Sequence, residues 1–182
     1  MKKGKSTKKK LEPFEIGELD QYLFGQGNHY EIYEKMGAHK VTYKGQEGVY
    51  FAVWAPNARR VAVVGDFNGW DFEANYMERQ EPVGIYTCFV PGVREGDLYK
   101  FCIETQQGKR IFKADPFANY AELRPGTASR VTDISHLKWT DSAWMTRRET
   151  WDHRENPMSI YEVHLGSWMR HPGRDDEGFY TY

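Results

Sequence analysis

The sequence predicts a mainly β protein: an antiparallel β-sandwich preceded by a short helical segment. Three observations carry this. Short β-prone runs recur between residues 49 and 132. Gly, Pro and Asn clusters separate them, with no long helical pattern between. Residues 98–104 alternate with period two, as a strand does when one face meets a core.

Residues 1–12 start the chain as a basic tail. Six lysines and no acid fall within the first ten residues, a composition that reads as a disordered, solubilising segment. Residues 13–37 carry apolar residues at helical spacing. Leu19, Tyr22 and Leu23 form one group, and Ile32, Tyr33 and Met36 a second. Gly25 and Gly27 split them into two short helices, and Gly37 is a stop.

The sandwich is predicted over 38–136. Its strands are Val49–Trp54, Val61–Phe67, Ile85–Val90, Leu98–Ile103 and Arg130–Thr132. In the fourth, Tyr99, Phe101 and Ile103 are predicted to face the core, and Lys100, Cys102 and Glu104 to face outward. Residues 137–157 form a connector, with a helical turn or two capped by Thr140 or Asp141 and carrying Trp144 and Met145 inward. From 158 to 182 a new stretch begins, with Ser159–Leu165 as a strand candidate ending at Gly166.

At 182 residues, with 40% hydrophobic and 15% aromatic side chains, the chain has enough apolar mass for one full domain with extra sequence, or two small ones. Six Trp and twelve Tyr exceed what such a core needs, which leaves aromatics for surfaces. The net charge is −1, but without the six tail lysines 19 basic residues face 26 acidic ones. An acidic body argues against nucleic acid as a partner. No apolar stretch follows the basic start, so no signal peptide is read, and no run reaches membrane-spanning length. Cys88 and Cys102 lie in predicted strands and read as reduced thiols of a cytoplasmic protein.

Residues 61–71 hold the most informative run. A short strand breaks at Asp66 and Gly69, and Asn68 and Trp70 ride on the loop. A Trp in a turn offers a flat apolar face, and a sugar ring offers a face of C–H groups. An Asn beside it donates and accepts hydrogen bonds. The competing reading is a lid folded under the loop. Lys100, outward from mid-strand, either donates to sugar hydroxyls or protects solubility or an edge.

Enzyme signatures are missing. The six histidines show no metal-ligand spacing, so neither metal nor cofactor is expected. Gly25-Gln26-Gly27 lacks the third glycine of a dinucleotide loop, and no nucleophile elbow occurs. Asp66 and Asp71 flank a tight turn, where Asp serves local backbone hydrogen bonds. Asp175-Asp176-Glu177 reads as a solvated loop.

A series of segments carries a family resemblance. They are Tyr22–Tyr30, Tyr33-Glu34-Lys35-Met36-Gly37-Ala38-His39, Phe51–Val61, Val64-Gly65-Asp66-Phe67-Asn68-Gly69-Trp70-Asp71, Gly96–Phe101, Lys113–Phe117, Ala121–Ser129 and Pro157–Trp168. In this order they closely resemble the N-terminal part of bacterial glycogen (1,4-α-glucan) branching enzymes. Debranching enzymes share a looser version of the last segment and remain the alternative. The resemblance implies an immunoglobulin-like sandwich of the family-48 carbohydrate-binding type, ahead of an incomplete (β/α)8 barrel whose first strand is Ser159–Leu165. Such a barrel needs about 250 residues.

In that family an Asp nucleophile and a Glu acid/base cut an α-1,4 link by the retaining two-carboxylate route and pass the segment to a 6-hydroxyl. The resemblance places those carboxylates beyond Tyr182, so no catalytic residue is expected here and the chain alone is expected to be inactive. Related binding modules imply that Trp70 stacks on glucose, with Lys100 and Thr127 donating to hydroxyls and Asn68 beside them. Ser129 stands where strong binders carry Asn. Phe112 is the nearest second aromatic in sequence, on a face the sequence leaves open. The implied partners are α-glucan (glycogen, amylose, maltooligosaccharides) and the chain's own barrel, with no nucleic acid, no membrane and a monomeric state. A sandwich that only braces the barrel is the competing role.

Overall fold

The computed structural model describes residues 11–152, 154–173 and 178. Most of the basic tail and the loop at Asp175-Asp176-Glu177 lie outside the described residues. The chain divides between His136 and Leu137 into two compact units.

The first unit opens with helix α1 (Glu18–Gly25). Glu18 and Asp20 sit in its first turn, where the helix dipole favours acids. Asp20 accepts from the Gly17 amide at 2.7 Å and pairs with Lys35 at 2.7 Å, tying the helix to the chain that follows. The second expected helix shrinks to a 3-10 turn, Ile32–Glu34. Strand β1 (Gly37–Tyr43) starts straight after it, and Met36 at the junction is pulled into the core. Leu19, Tyr22 and Tyr33 stay exposed; the residues that bury this segment are Ile16 and Met36.

Strand β1 turns into β2 (Gln46–Trp54) through Lys44 and Gly45, both at positive φ. That is the two-residue hairpin geometry whose twist matches the strands. Next come β3 (Arg60–Gly65), β4 (Glu78–Gln80), β5 (Ile85–Pro91), β6 (Leu98–Glu104), β7 (Arg110–Lys113) and β8 (Ser129–Arg130). One sheet runs β1-β2-β5-β4. The other runs β3-β6-β7, with β8 on the same edge of β6 at its other end. All pairings are antiparallel, as the sequence predicts. The five strands predicted for the sandwich are all represented; β1, β4 and β7 are additional.

Between the sheets lies a core of Val49, Phe51, Val61, Val63, Tyr99 and Phe101, all buried. Phe51 and Tyr99 meet edge to face at 5.1 Å. A second cluster on the outside of the first sheet seats Ile16 and Met36 on Tyr50, Ala52 and Ile85. The N-terminal segment therefore covers the outer face of that sheet.

Tyr99 carries one polar handle into this core. Its hydroxyl donates to Asp115 Oδ2 at 2.6 Å, and the Phe117 amide donates to Asp115 Oδ1. Desolvation outweighs these bonds and nearby His39, and holds the Asp115 carboxyl above its ordinary range. A raised folded-state value means the folded protein keeps this proton longer than the unfolded chain. Its contribution is complete at low pH and is lost as pH rises through the raised value. Wild type is therefore expected to lose stability relative to Asp115→Asn as pH climbs from the ordinary carboxylate range toward neutrality. Denaturant melts of both proteins from pH 4 to 7 check this. A difference that is flat, or that grows in the wild type's favour, contradicts it.

In the second unit, α2 (Ser142–Glu149) forms where a turn or two of helix is expected, after Asp141. Trp144 and Met145, predicted to point inward, are exposed instead. The helix buries none of its residues, and the Arg147 guanidinium lies over Trp144 and Trp151 at 5.3 and 4.9 Å. Ser159–Leu165 is not a strand: residues 159–164 have no regular structure, and Leu165 begins the short helix α3 (Leu165–Trp168). A barrel strand needs hydrogen-bonding neighbours on both edges, and no described residue pairs with this segment. Ile160 and Tyr161 are exposed.

Candidate functional site

The site grows from the end of β3. Gly65 closes the strand, and a 3-10 turn, Asp66–Asn68, follows at once. Asn68 holds the turn with its whole amide. Its Oδ1 accepts from the Gly65 amide at 2.9 Å, and its Nδ2 donates to Val63 O at 3.0 Å and Asn75 Oδ1 at 2.8 Å. Both of its donors are spent on the loop, and one acceptor lone pair of Oδ1 is left.

Gly69 and then Trp70 take positive φ, 63° and 64°. For Gly this costs nothing, but for a bulky residue it is a rare, strained state. Trp70 is held there by its backbone amide on Gly65 O at 3.0 Å and by its indole Nε1 on Asp66 Oδ1 at 3.1 Å. The other oxygen of Asp66 accepts from the Leu98 amide at 2.9 Å. The carboxylate thus clamps the indole to the start of β6, a structural role filled through a side chain and a distant strand rather than through the local backbone bonds the sequence suggests. Trp70 keeps 38% exposure and belongs to none of the buried clusters.

Lys100 comes to the same end of the sheet. It lies opposite Val64, two residues before the turn. Its ammonium donates to Thr127 Oγ1 at 2.6 Å. This contact joins the two side chains that the family resemblance named as hydroxyl donors, and leaves Lys100 two donors. Phe112 pairs with Cys102, two residues along β6, so it shares the Lys100 face, and it is 53% exposed. The sequence left that face open; the β6–β7 register supplies it.

Two expectations need correction. Cys102 and Glu104, predicted to face outward, are buried. They do point away from the sandwich core, but the loop after Trp70 folds back over them. Phe72 packs on Ala62, Val64 and Cys102. Arg110 caps Phe72 at 3.9 Å and pairs with Glu73 at 2.7 Å, while Arg60 pairs with Glu104 at 2.7 Å. The outer face is thus closed around Cys102 and open around Lys100 and Phe112. Ser129 is likewise not beside the site. It pairs with Tyr99, is buried on the core side, and accepts from the Asp115 amide at 2.9 Å.

Among the described residues no cluster of three metal-ligating side chains occurs, and no helix is long and apolar enough to cross a membrane. What the loop and β6 present is an aromatic plane, an ammonium and a hydroxyl on a shallow surface. Such a surface can hold a neutral polyol.

Residues 35–118 match the family described as Carbohydrate-binding module 48 (Isoamylase N-terminal domain). The chain is 58% identical over 167 residues to a 1,4-alpha-glucan branching enzyme GlgB of Butyrivibrio fibrisolvens, covering 92% of this chain and 26% of that protein. It is 53% identical over 155 residues to the GlgB of Protochlamydia amoebophila, covering 85% and 21%. A crystal structure of a putative alpha amylase from Salmonella typhimurium aligns with a TM-score of 0.45 at 25% identity, over 60% of this chain and 16% of that one. The chain is similar to these branching enzymes over the region it shares with them, and it spans about a quarter of their length.

Proposed function

We propose that the sandwich binds α-glucan at the Trp70 loop and serves a protein that branches glycogen. The observation that carries this is Trp70 itself. A bulky aromatic is held at positive φ, clamped by Asp66, and left partly open to solvent. Strain of this kind persists where the surrounding structure enforces it, and it clusters at ligand sites. Lys100 and Thr127 supply hydroxyl-directed groups beside it. In this reading Asn68 acts mainly by building the loop, with one lone pair left for ligand. The free Cys88 and Cys102 suit a reducing cytoplasm.

A bracing role is supported by a different observation. Leu19, Tyr22, Tyr30 and Tyr33 in the N-terminal segment are 68, 65, 84 and 58% exposed. Apolar side chains crowded into so short a stretch suit a covering partner such as the family's barrel. The two roles use different parts of the first unit and are compatible.

Native gels with and without embedded glycogen test the binding role. The chain is expected to be retarded by glycogen, and Lys100→Ala to show a severalfold weaker retardation, about 1 kcal/mol for one charge-assisted donor. A well-folded parent that migrates alike in both gels would sink the binding role and leave bracing.

A further inference from the structure

We infer that the glucan surface does not end at Trp70 and Lys100 but continues across the sheet to a second platform, Tyr120 with Arg130. This platform makes binding depend on glucan length. The inference rests on the proposed glucan-binding role.

The registers place these groups on one rung. Gly65 pairs with Tyr99, so Asp66 stands beside Leu98, and the Leu98 amide donates to its carboxylate. Leu98 pairs with Arg130 on the other side of β6. Arg130 in turn faces Tyr120: its amide donates to Tyr120 O at 2.9 Å, and Ala121 bridges Ser129 next to it. Residues directly opposite in antiparallel pairs project to the same face. Leu98, Arg130 and Tyr120 therefore share the face of Lys100, two residues along β6 from Leu98. Trp70 is hooked to one end of this rung through Asp66, and Tyr120 stands at the other. Three strand spacings separate the ends, about 14 Å.

The second end is built as a platform. Arg130 lies over the Tyr120 ring at 5.5 Å, and the ring is 55% exposed. Arg130 forms no ion pair among the described residues. Its Nε is shielded from solvent and donates to no protein atom there. A guanidinium laid over a ring widens a flat surface. Stacked aromatic–guanidinium planes suit C–H-rich sugar faces, and the N–H edges suit hydroxyls. Between Asp66 and Arg130 the rung carries Leu98, which is apolar and half-buried.

A disaccharide on Trp70 is too short to reach Tyr120, whereas an extended maltooligosaccharide covers both. Titration calorimetry of the whole chain with maltose and with maltoheptaose tests this. Parent affinity is expected to rise between the two sugars. Tyr120→Ala is expected to weaken maltoheptaose about three- to tenfold and leave maltose within twofold. Tyr120→Phe, which keeps the ring, is expected to restore the parent values. Equal losses for both sugars, or no loss for either, would overturn the second platform while leaving Trp70 binding intact. A parent that binds neither sugar would overturn the glucan-binding role as well. Tyr120 is an exposed side chain, so the variants are expected to fold, and their unfolding midpoints check this.

Discussion

Gly65→Ala is expected to unseat both the sheet and the site. Gly65 is extended, with φ near −179°, so backbone strain is not the issue. Space is. A Cβ there would lie 2.2 Å from the Leu98 carbonyl oxygen and 2.7 Å from the Phe67 ring. A flexible side chain could move aside, but a strand carbonyl can yield only if β3 and β6 part. Overpacking against a well-packed interior costs roughly 3 kcal/mol at such a position. The Gly65 amide and carbonyl also hold Asn68 and Trp70, so a shift here moves the Trp platform. Denaturant melts should show the loss, and glycogen retardation should fall with it. Gly92→Ala is the control. Its φ is +76° with nothing within 4 Å, so only the left-handed cost of about 1 kcal/mol applies. If the Gly65 variant proves no less stable than the Gly92 variant, the close packing of β3 on β6 is wrong.

The parts of this fold that the sequence showed were those where one strand carries its own pattern. Tyr99 and Phe101 announce the core face of β6 by alternation, and Val61 to Val64 announce β3 by their apolar run. β1 was missed because His39, Lys40 and Thr42 mask its pattern, although Lys44-Gly45 is a hairpin signal that could have exposed it. β7, at four residues, is too short for a period to show. Cys102 and Glu104 were misplaced for another reason. Alternation gives the face of a strand, but not whether a loop thirty residues away will cover it, and Phe72 does. Ser159–Leu165 reads as a strand on composition, yet a strand exists only through its neighbours.

The site divides in the same way. Trp70 and Lys100 were legible because their chemistry is local: an aromatic in a turn, a cation in mid-strand. Their partnership was not, because it depends on the register that sets Val64 against Lys100 and on Thr127 arriving from another loop. Ser129 and Thr127 are two residues apart and end on opposite sides of the sheet. One lies against Tyr99 in the core and the other on Lys100. Asn68 spends both amide donors on the turn that carries Trp70, a demand that appears only once the loop is folded.

That strain makes the decisive experiment sharper than a removal of the ring alone. Trp70→Gly deletes the platform and also relieves the left-handed backbone, a gain of about 1 kcal/mol. The loss of the half-exposed indole's packing and of its bond to Asp66 opposes that gain. The net change in stability is expected within about 1 kcal/mol of zero. Affinity for glycogen should nevertheless fall about fivefold or more, the roughly 1–3 kcal/mol that one stacked ring contributes. The two readings of Trp70 part here. A lid on the sandwich is a core residue, and removing it costs about 3–5 kcal/mol whatever the backbone gains. A binding platform loses affinity while the fold holds. Melts and glycogen gels on the same variant measure both quantities. A large stability loss with glycogen retardation unchanged in the remaining folded protein would return Trp70 to the core and remove the central residue of the proposed site.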